Sequence, residues 1–290
     1  MSETSRKDEL LEQLKKFGDP RNTREWPAGD PDYIRLFSMT ERDTSQLLVI
    51  ARQWIEPMDW PEEEDDMSPY APIHAWRALA QLGAGEALPL FLEMIPVMDE
   101  RGNDWDLEEF PDALGMLGSA VLPTLDTFLG DDSNAEFTRI CVAHGLCKVA
   151  QHDPNTRDRV IEILEERLRH FDGNSQTLNA FLVSYLLDRG ASESAESIER
   201  AYAAGRVDIT VVGNWNTVRE ELGVKGLGLV TENEANRRQP LLEHPASIGT
   251  SGAVASSGTR IQEVNSLPAK RGVRKKRKLE RQSRKRARRR

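Results

Sequence analysis

The sequence predicts an all-α chain, an α-α superhelix of stacked helical hairpins with a disordered basic C-terminal tail. Three observations carry this. Apolar residues recur at helical spacing through residues 44–222, a helix–turn–helix unit repeats after about 35 residues, and the composition then breaks sharply. The breaks give four zones. Residues 1–43 form a polar N-terminal arm, 44–229 a helical-repeat domain, 230–269 a Ser/Gly/Asn/Pro-rich linker and 270–290 a basic tail.

The N-terminal zone holds one short helical pattern, Glu9–Phe17, then a stretch punctuated by Pro20, Pro27 and Pro31. The first long helix follows Asp43/Thr44. Leu47, Leu48, Ile50, Ala51, Trp54 and Ile55 share one face, and Pro57 stops the run. The repeat begins after an acidic loop. Arg77-Ala-Leu-Ala-Gln-Leu-Gly83 matches Asp112-Ala-Leu-Gly-Met-Leu-Gly118, and each copy is followed by Leu-Pro (Leu88-Pro89, Leu122-Pro123). A glycine ends the first helix and a proline in the first turn of the second marks its start, because few backbone hydrogen bonds are lost there.

Two weaker copies continue the pattern. In one, Ala135–Ala150 is the first helix, and Asp153-Pro154 opens a second that carries Val160, Ile161, Ile163, Leu164, Leu168 and Phe171. In the other, Leu178, Phe181, Leu182, Tyr185 and Leu186 line the inner face, Gly190-Ala191 turns the chain, and Ser192–Ala204 returns. A single hairpin cannot bury its apolar face, so the units must stack. Asp208–Val212 is β-branched and reads as a short extended piece. Asn216–Leu222, ended by Gly223, reads as a closing helix.

Charge is segregated. Of 39 Lys/Arg, 14 fall in residues 270–290 beside the single acid Glu280, which leaves 25 Lys/Arg against 47 Asp/Glu before them. The net charge of −9 is therefore about −22 on the body and about +13 on the tail. Two cysteines exclude a disulfide framework and suit a reducing compartment. With no signal-peptide pattern at the N-terminus and no apolar run of about 20 residues, the chain reads as cytoplasmic, or nuclear in a eukaryote, with no membrane contact.

The repeated units resemble HEAT-like repeats, of the kind also found in the phycobilin-lyase group. Tyr70-Ala-Pro-Ile-His-Ala-Trp76, Asp104-Trp-Asp-Leu-Glu-Glu109 with Leu114-Gly115, and Gly213-Asn-Trp215 resemble an uncharacterised bacterial helical-repeat family over roughly residues 40–225. The resemblance implies a HEAT-like solenoid. Members of that family often end in a Cys-rich zinc-binding motif, but no cysteine follows Cys147 here and the basic tail stands in its place.

Candidate interaction residues fall in two groups. The tail offers Lys270, Arg271, Arg274, Lys275, Lys276, Arg277, Lys278, Arg281, Arg284, Lys285, Arg286, Arg288, Arg289 and Arg290 to RNA, the ribosome or DNA through counterion release. It has no aromatic residue for base stacking, so no sequence readout is expected. A protein partner would meet the acidic loop Glu62, Glu63, Glu64, Asp65, Asp66 and the cluster Asp104, Trp105, Asp106, with Trp215 as a further anchor. The plain readings are a solvated loop and acids that cap a helix N-terminus. Trp54 and Trp76 lie on apolar faces and read as core. Cys141, His144 and Cys147 share a helix face as metal ligands might in principle, but reading the cysteines as packing residues is simpler.

Gly223-Val-Lys-Gly-Leu-Gly228 lacks the glycine order and Lys-Ser/Thr pair of a phosphate loop. Neither a nucleophile signature nor a cofactor motif is found. The expectation is a non-enzymatic scaffold that binds a protein through its acidic repeat surface and nucleic acid through its tail, without a cofactor. Two alternatives stand beside it: an acidic binder or chaperone of basic proteins autoinhibited by its own tail, and a lyase-type enzyme related to the phycobilin-lyase group. Oligomeric state is not legible.

Overall fold

A computed structural model describes residues 3–22, 26–29, 31–56 and 67–224; the acidic loop Glu62–Asp66, the linker 230–269 and the basic tail 270–290 lie outside them. The described residues are all-α. They form thirteen α-helices joined by short 3-10 turns, and contain no strand.

Four hairpins follow one another: α4 (Ala71–Gln81) with α5 (Leu88–Glu100), α6 (Asp104–Met116) with α7 (Leu122–Gly130), α8 (Glu136–His152) with α9 (Arg157–Arg169), and α10 (Gln176–Asp188) with α11 (Ala195–Ala203). Three share one turn grammar. A left-handed glycine (Gly83, φ 63°; Gly118, φ 84°; Gly190, φ 61°) ends the first helix. A 3-10 turn then leads into the second helix, where Pro89 and Pro123 take early positions. The third hairpin turns without glycine. There the Asp153 carboxylate accepts from the Asn155 amide at 3.1 Å, and Pro154 opens the 3-10 turn.

First helices pack on first helices in chain order, α4 on α6, α6 on α8 and α8 on α10, while α7, α9 and α11 form the neighbouring row. The α6–α8 crossing is the tightest. A Cβ placed on Gly145 would sit 2.9 Å from Leu114 Cβ, and one on Gly115 would meet the Lys148 backbone carbon at 2.8 Å. Each helix thus offers a glycine notch to the other. Beside the notch, Lys148 and Asp112 form an ion pair of 2.5 Å, 14 % and 8 % exposed.

Guanidinium groups tie hairpins together at helix C-termini, where carbonyls lack intrahelical donors. Arg101 donates to the carbonyls of Trp54 (2.6 Å), Ile55 (2.7 Å) and Glu56 (3.2 Å), beyond the end of α3 (Thr44–Arg52). Its guanidinium also lies over the Trp54 ring, 4.9 Å from the centroid. Arg139 reaches Leu129 O at 2.9 Å, and Arg157 reaches Arg189 O at 2.8 Å. Arg206 reaches Asp172 O (2.7 Å) and Asn174 O (2.6 Å).

Two sequence expectations need correction. The described residues of the polar arm 1–43 are packed against the helices that follow. Leu10 and Leu14 of α1 (Glu3–Lys15), Trp26, and Tyr33 of α2 (Tyr33–Phe37) are fully buried, and α1 and α2 pack on α3 and α4. Polar composition masked them because their partners are distant in sequence. Asp208–Val212 is not extended. It is a one-turn helix, α12 (Ile209–Val212), set by the Asp208 carboxylate accepting from Thr210 N (2.9 Å) and Oγ1 (2.7 Å). A local cap outweighs the β-branched preference there. The closing helix is α13 (Trp215–Glu221), followed by left-handed Gly223 (φ 69°).

Substituting Gly145→Ala should lower unfolding free energy by about 3 kcal/mol through overpacking at the α6–α8 crossing. Gly190→Ala, whose Cβ meets nothing within 4 Å, should cost only the left-handed strain of about 1 kcal/mol. Urea denaturation of both variants measures the difference.

Candidate functional site

The first turn of α6 holds the sequence-named cluster. Asn103 caps the helix, its side chain accepting from Asp106 N at 3.4 Å and donating to the Asp106 carboxylate. Helical geometry then splits the cluster. Asp104, Trp105 and Glu108 are half-buried, whereas Asp106 is fully enclosed. Asp106 is therefore removed from any partner surface, contrary to the sequence expectation.

Burial, reinforced by the neighbouring Glu109 carboxylate, pushes Asp106 up to about 7, with Arg77 and the Trp54 indole acting weakly the other way. Its Oδ1 has no hydrogen-bond partner among the described residues. Next to it, Arg77 is fully buried between aromatic faces, its guanidinium 5.4 Å from Trp26, 5.8 Å from Trp76 and 5.3 Å from Trp105. It donates to Glu109 Oε2 at 2.6 Å. Tight pairing and three π faces offset the cost of burying this charge. Trp105, expected as an anchor for a partner, instead lies over Arg77.

From this turn a narrow polar stripe runs across two first helices. On α6 it is Asp104, Glu108 and Asp112, four residues apart; on α8 it is His144 and Lys148, also four apart. The helices join through the Asp112–Lys148 ion pair and through His144, whose ring stacks on Tyr185 of α10 at 5.3 Å and 21°. All other α8 positions from Phe137 to Ala150 are buried, so this stripe is where the central helix meets solvent. Sequence reasoning missed Asp112, Lys148 and Arg77 as charges with structural partners. The available signal was a lone charge on an otherwise apolar helical face.

Other named residues fall elsewhere. Trp215 is buried, its ring 5.8 Å from that of Tyr202, so it is core and not a partner anchor. Cys141 and Cys147 are buried thiols. Among the described residues no three His, Cys, Asp or Glu gather in a geometry to hold a metal ion. An open groove of about 370 Å³ lies between α3 and α5, lined by Leu48, Val49, Arg52, Glu86 and Leu90. Glu62, Glu63, Glu64, Asp65, Asp66 and the fourteen tail cations lie outside the described residues.

Among protein-family models, curated proteins and solved structures, no match to this chain is found.

The raised Asp106 gives a pH signature. Its protonated form is favoured in the folded chain, so the stability this adds is full below pH about 3.8 and lost as pH rises through about 7. Asp106→Asn should therefore stabilise the protein at pH 8, by up to about 4 kcal/mol for a shift of about three units, and by only about 2 kcal/mol at pH 5. Thermal denaturation of both proteins at the two pH values checks this.

Proposed function

We propose that the four hairpins form a short HEAT-like solenoid and that the chain is a non-enzymatic interaction scaffold. Its repeat surface binds a protein partner, and its tail tethers the assembly to RNA or the ribosome, or to other nucleic acid. The observation that carries the tether is the placement of 14 cations and one acid in the last 21 residues, against a body of about −22. Support for the scaffold comes from the repeated hairpins, whose first helices pack in chain order and leave Asp104, Glu108, His144 and Lys148 half-buried along one stripe. Stacked helical repeats build extended surfaces of this kind. On this reading Asp104 and Glu108 belong to the partner surface, and Glu62–Asp66 adds acidic charge to it.

The test is RNA and DNA binding by the full chain and by residues 1–269, titrated across salt. If about half of the tail cations engage phosphates, log K should fall against log salt with a slope near −6, and truncation should abolish binding. If truncation leaves binding unchanged, the tail is not the tether. If neither protein binds and the isolated tail peptide also fails, the nucleic-acid reading is wrong.

A further inference from the structure

The N-terminal segment is seated on α4 by polar side chains that all come from one helix face. His74, Arg77 and Gln81 lie at i, i+3 and i+7. Gln81 accepts from Tyr33 N at 3.0 Å and donates to Pro31 O at 2.9 Å. Arg77 approaches Pro20 O at 3.5 Å and lies over the Trp26 ring. His74 is fully buried and engaged at both ring nitrogens, Nε2 with Gly18 O at 2.9 Å and Nδ1 with the Tyr33 hydroxyl at 2.6 Å. A carbonyl can only accept, so Nε2 carries the proton and Nδ1 accepts from Tyr33. Phe17 closes the seat, with its ring 5.2 Å from His74 and 4.9 Å from Tyr33.

We propose that α1, α2 and the described residues between them form a strap that opens separately from the hairpin body, and that a second proton on His74 releases it. That proton converts the Nδ1 acceptor into a donor. It also places a positive charge in a fully buried site beside Arg77 of the same helix. Of the surrounding charges, Asp19 in the turn after α1 favours the imidazolium but is already paired with Arg21. Tyr33 of α2 contributes its hydroxyl, whereas the hydroxyl of Tyr70, before α4, acts on Arg21. On α6, Glu109 is bound to Arg77, and Asp106 sits beyond it. Between α1 and the start of α3, Asp43 is held by Arg6 at 2.8 Å. Burial and Arg77 hold the imidazole down at about 4, so the seat favours the neutral ring. The unfavourable charge is relieved only if the strap lifts, which is local opening and not global unfolding. Lifting uncovers the α4 end of the hairpin stack, which the strap otherwise caps.

Native-state hydrogen exchange on the full chain, corrected for intrinsic rates, tests this at pH 7.5 and 4.5. Linkage between an ordinary histidine and one held at about 4 predicts on the order of 50-fold less protection for amides of α1 and α2 at pH 4.5, while α8 and α10 keep theirs. His74→Gln keeps a donor for Gly18 O and cannot titrate, so its strap should show no such pH dependence. In Asp106→Asn the acid opening should persist. Parallel loss of protection in α1, α2, α8 and α10 overturns the proposal, as does an unchanged pH dependence in His74→Gln or its disappearance in Asp106→Asn. Should His74→Gln fail to fold, NMR titration of the wild-type imidazole decides. Strap opening must then share its midpoint with His74 protonation, and a separation beyond one pH unit overturns the idea.

Discussion

Where α6 crosses α8, glycine at 115 and 145 removes the two Cβ atoms that would otherwise hold the helices apart. The approach brings Lys148 within 2.5 Å of Asp112 and leaves most of α8 enclosed by its neighbours. It also decides how far the first helices lie from one another, and hence where the polar stripe from Asp104 to His144 can reach solvent. Interiors pack too densely for such a crossing to widen by a methyl group without shifting what surrounds it.

Around this crossing the hairpins are also joined through backbone carbonyls. Arg101, Arg139 and Arg157 each satisfy carbonyls at the end of another helix, and Arg206 satisfies those of the α9–α10 connection. These contacts are directional, whereas the apolar faces alone would tolerate sliding. Arg77 is the buried extreme of the same habit. Its charge is held by Glu109 and by three indole faces, and it links α4, α6 and the N-terminal segment.

The two strongly perturbed groups of this region oppose one another. His74 is held neutral and Asp106 is held protonated by the same loss of water, so acid disfavours one seat while base disfavours the other. Both groups join the N-terminal half to the hairpins: His74 through Gly18 and Tyr33, Asp106 through the Trp54 indole.

The sequence by itself determined the all-α class, the four hairpins and their turns, because these depend on neighbours in the chain. Gly83, Gly118 and Gly190 take left-handed φ two residues past the last residue of a helix, and Pro89 and Pro123 fall where a missing N–H costs little. It also carried the polarity between an acidic body and a basic tail, which is composition alone. Tertiary structure decided which charges face water. Asp104 and Asp106 are two residues apart, yet only the packing of Trp54 and Arg77 against α6 encloses one and leaves the other half-exposed. It likewise packed the described part of residues 1–43 against α3 and α4, since the partners of Leu10, Trp26 and Tyr33 lie tens of residues away and no local periodicity reports them.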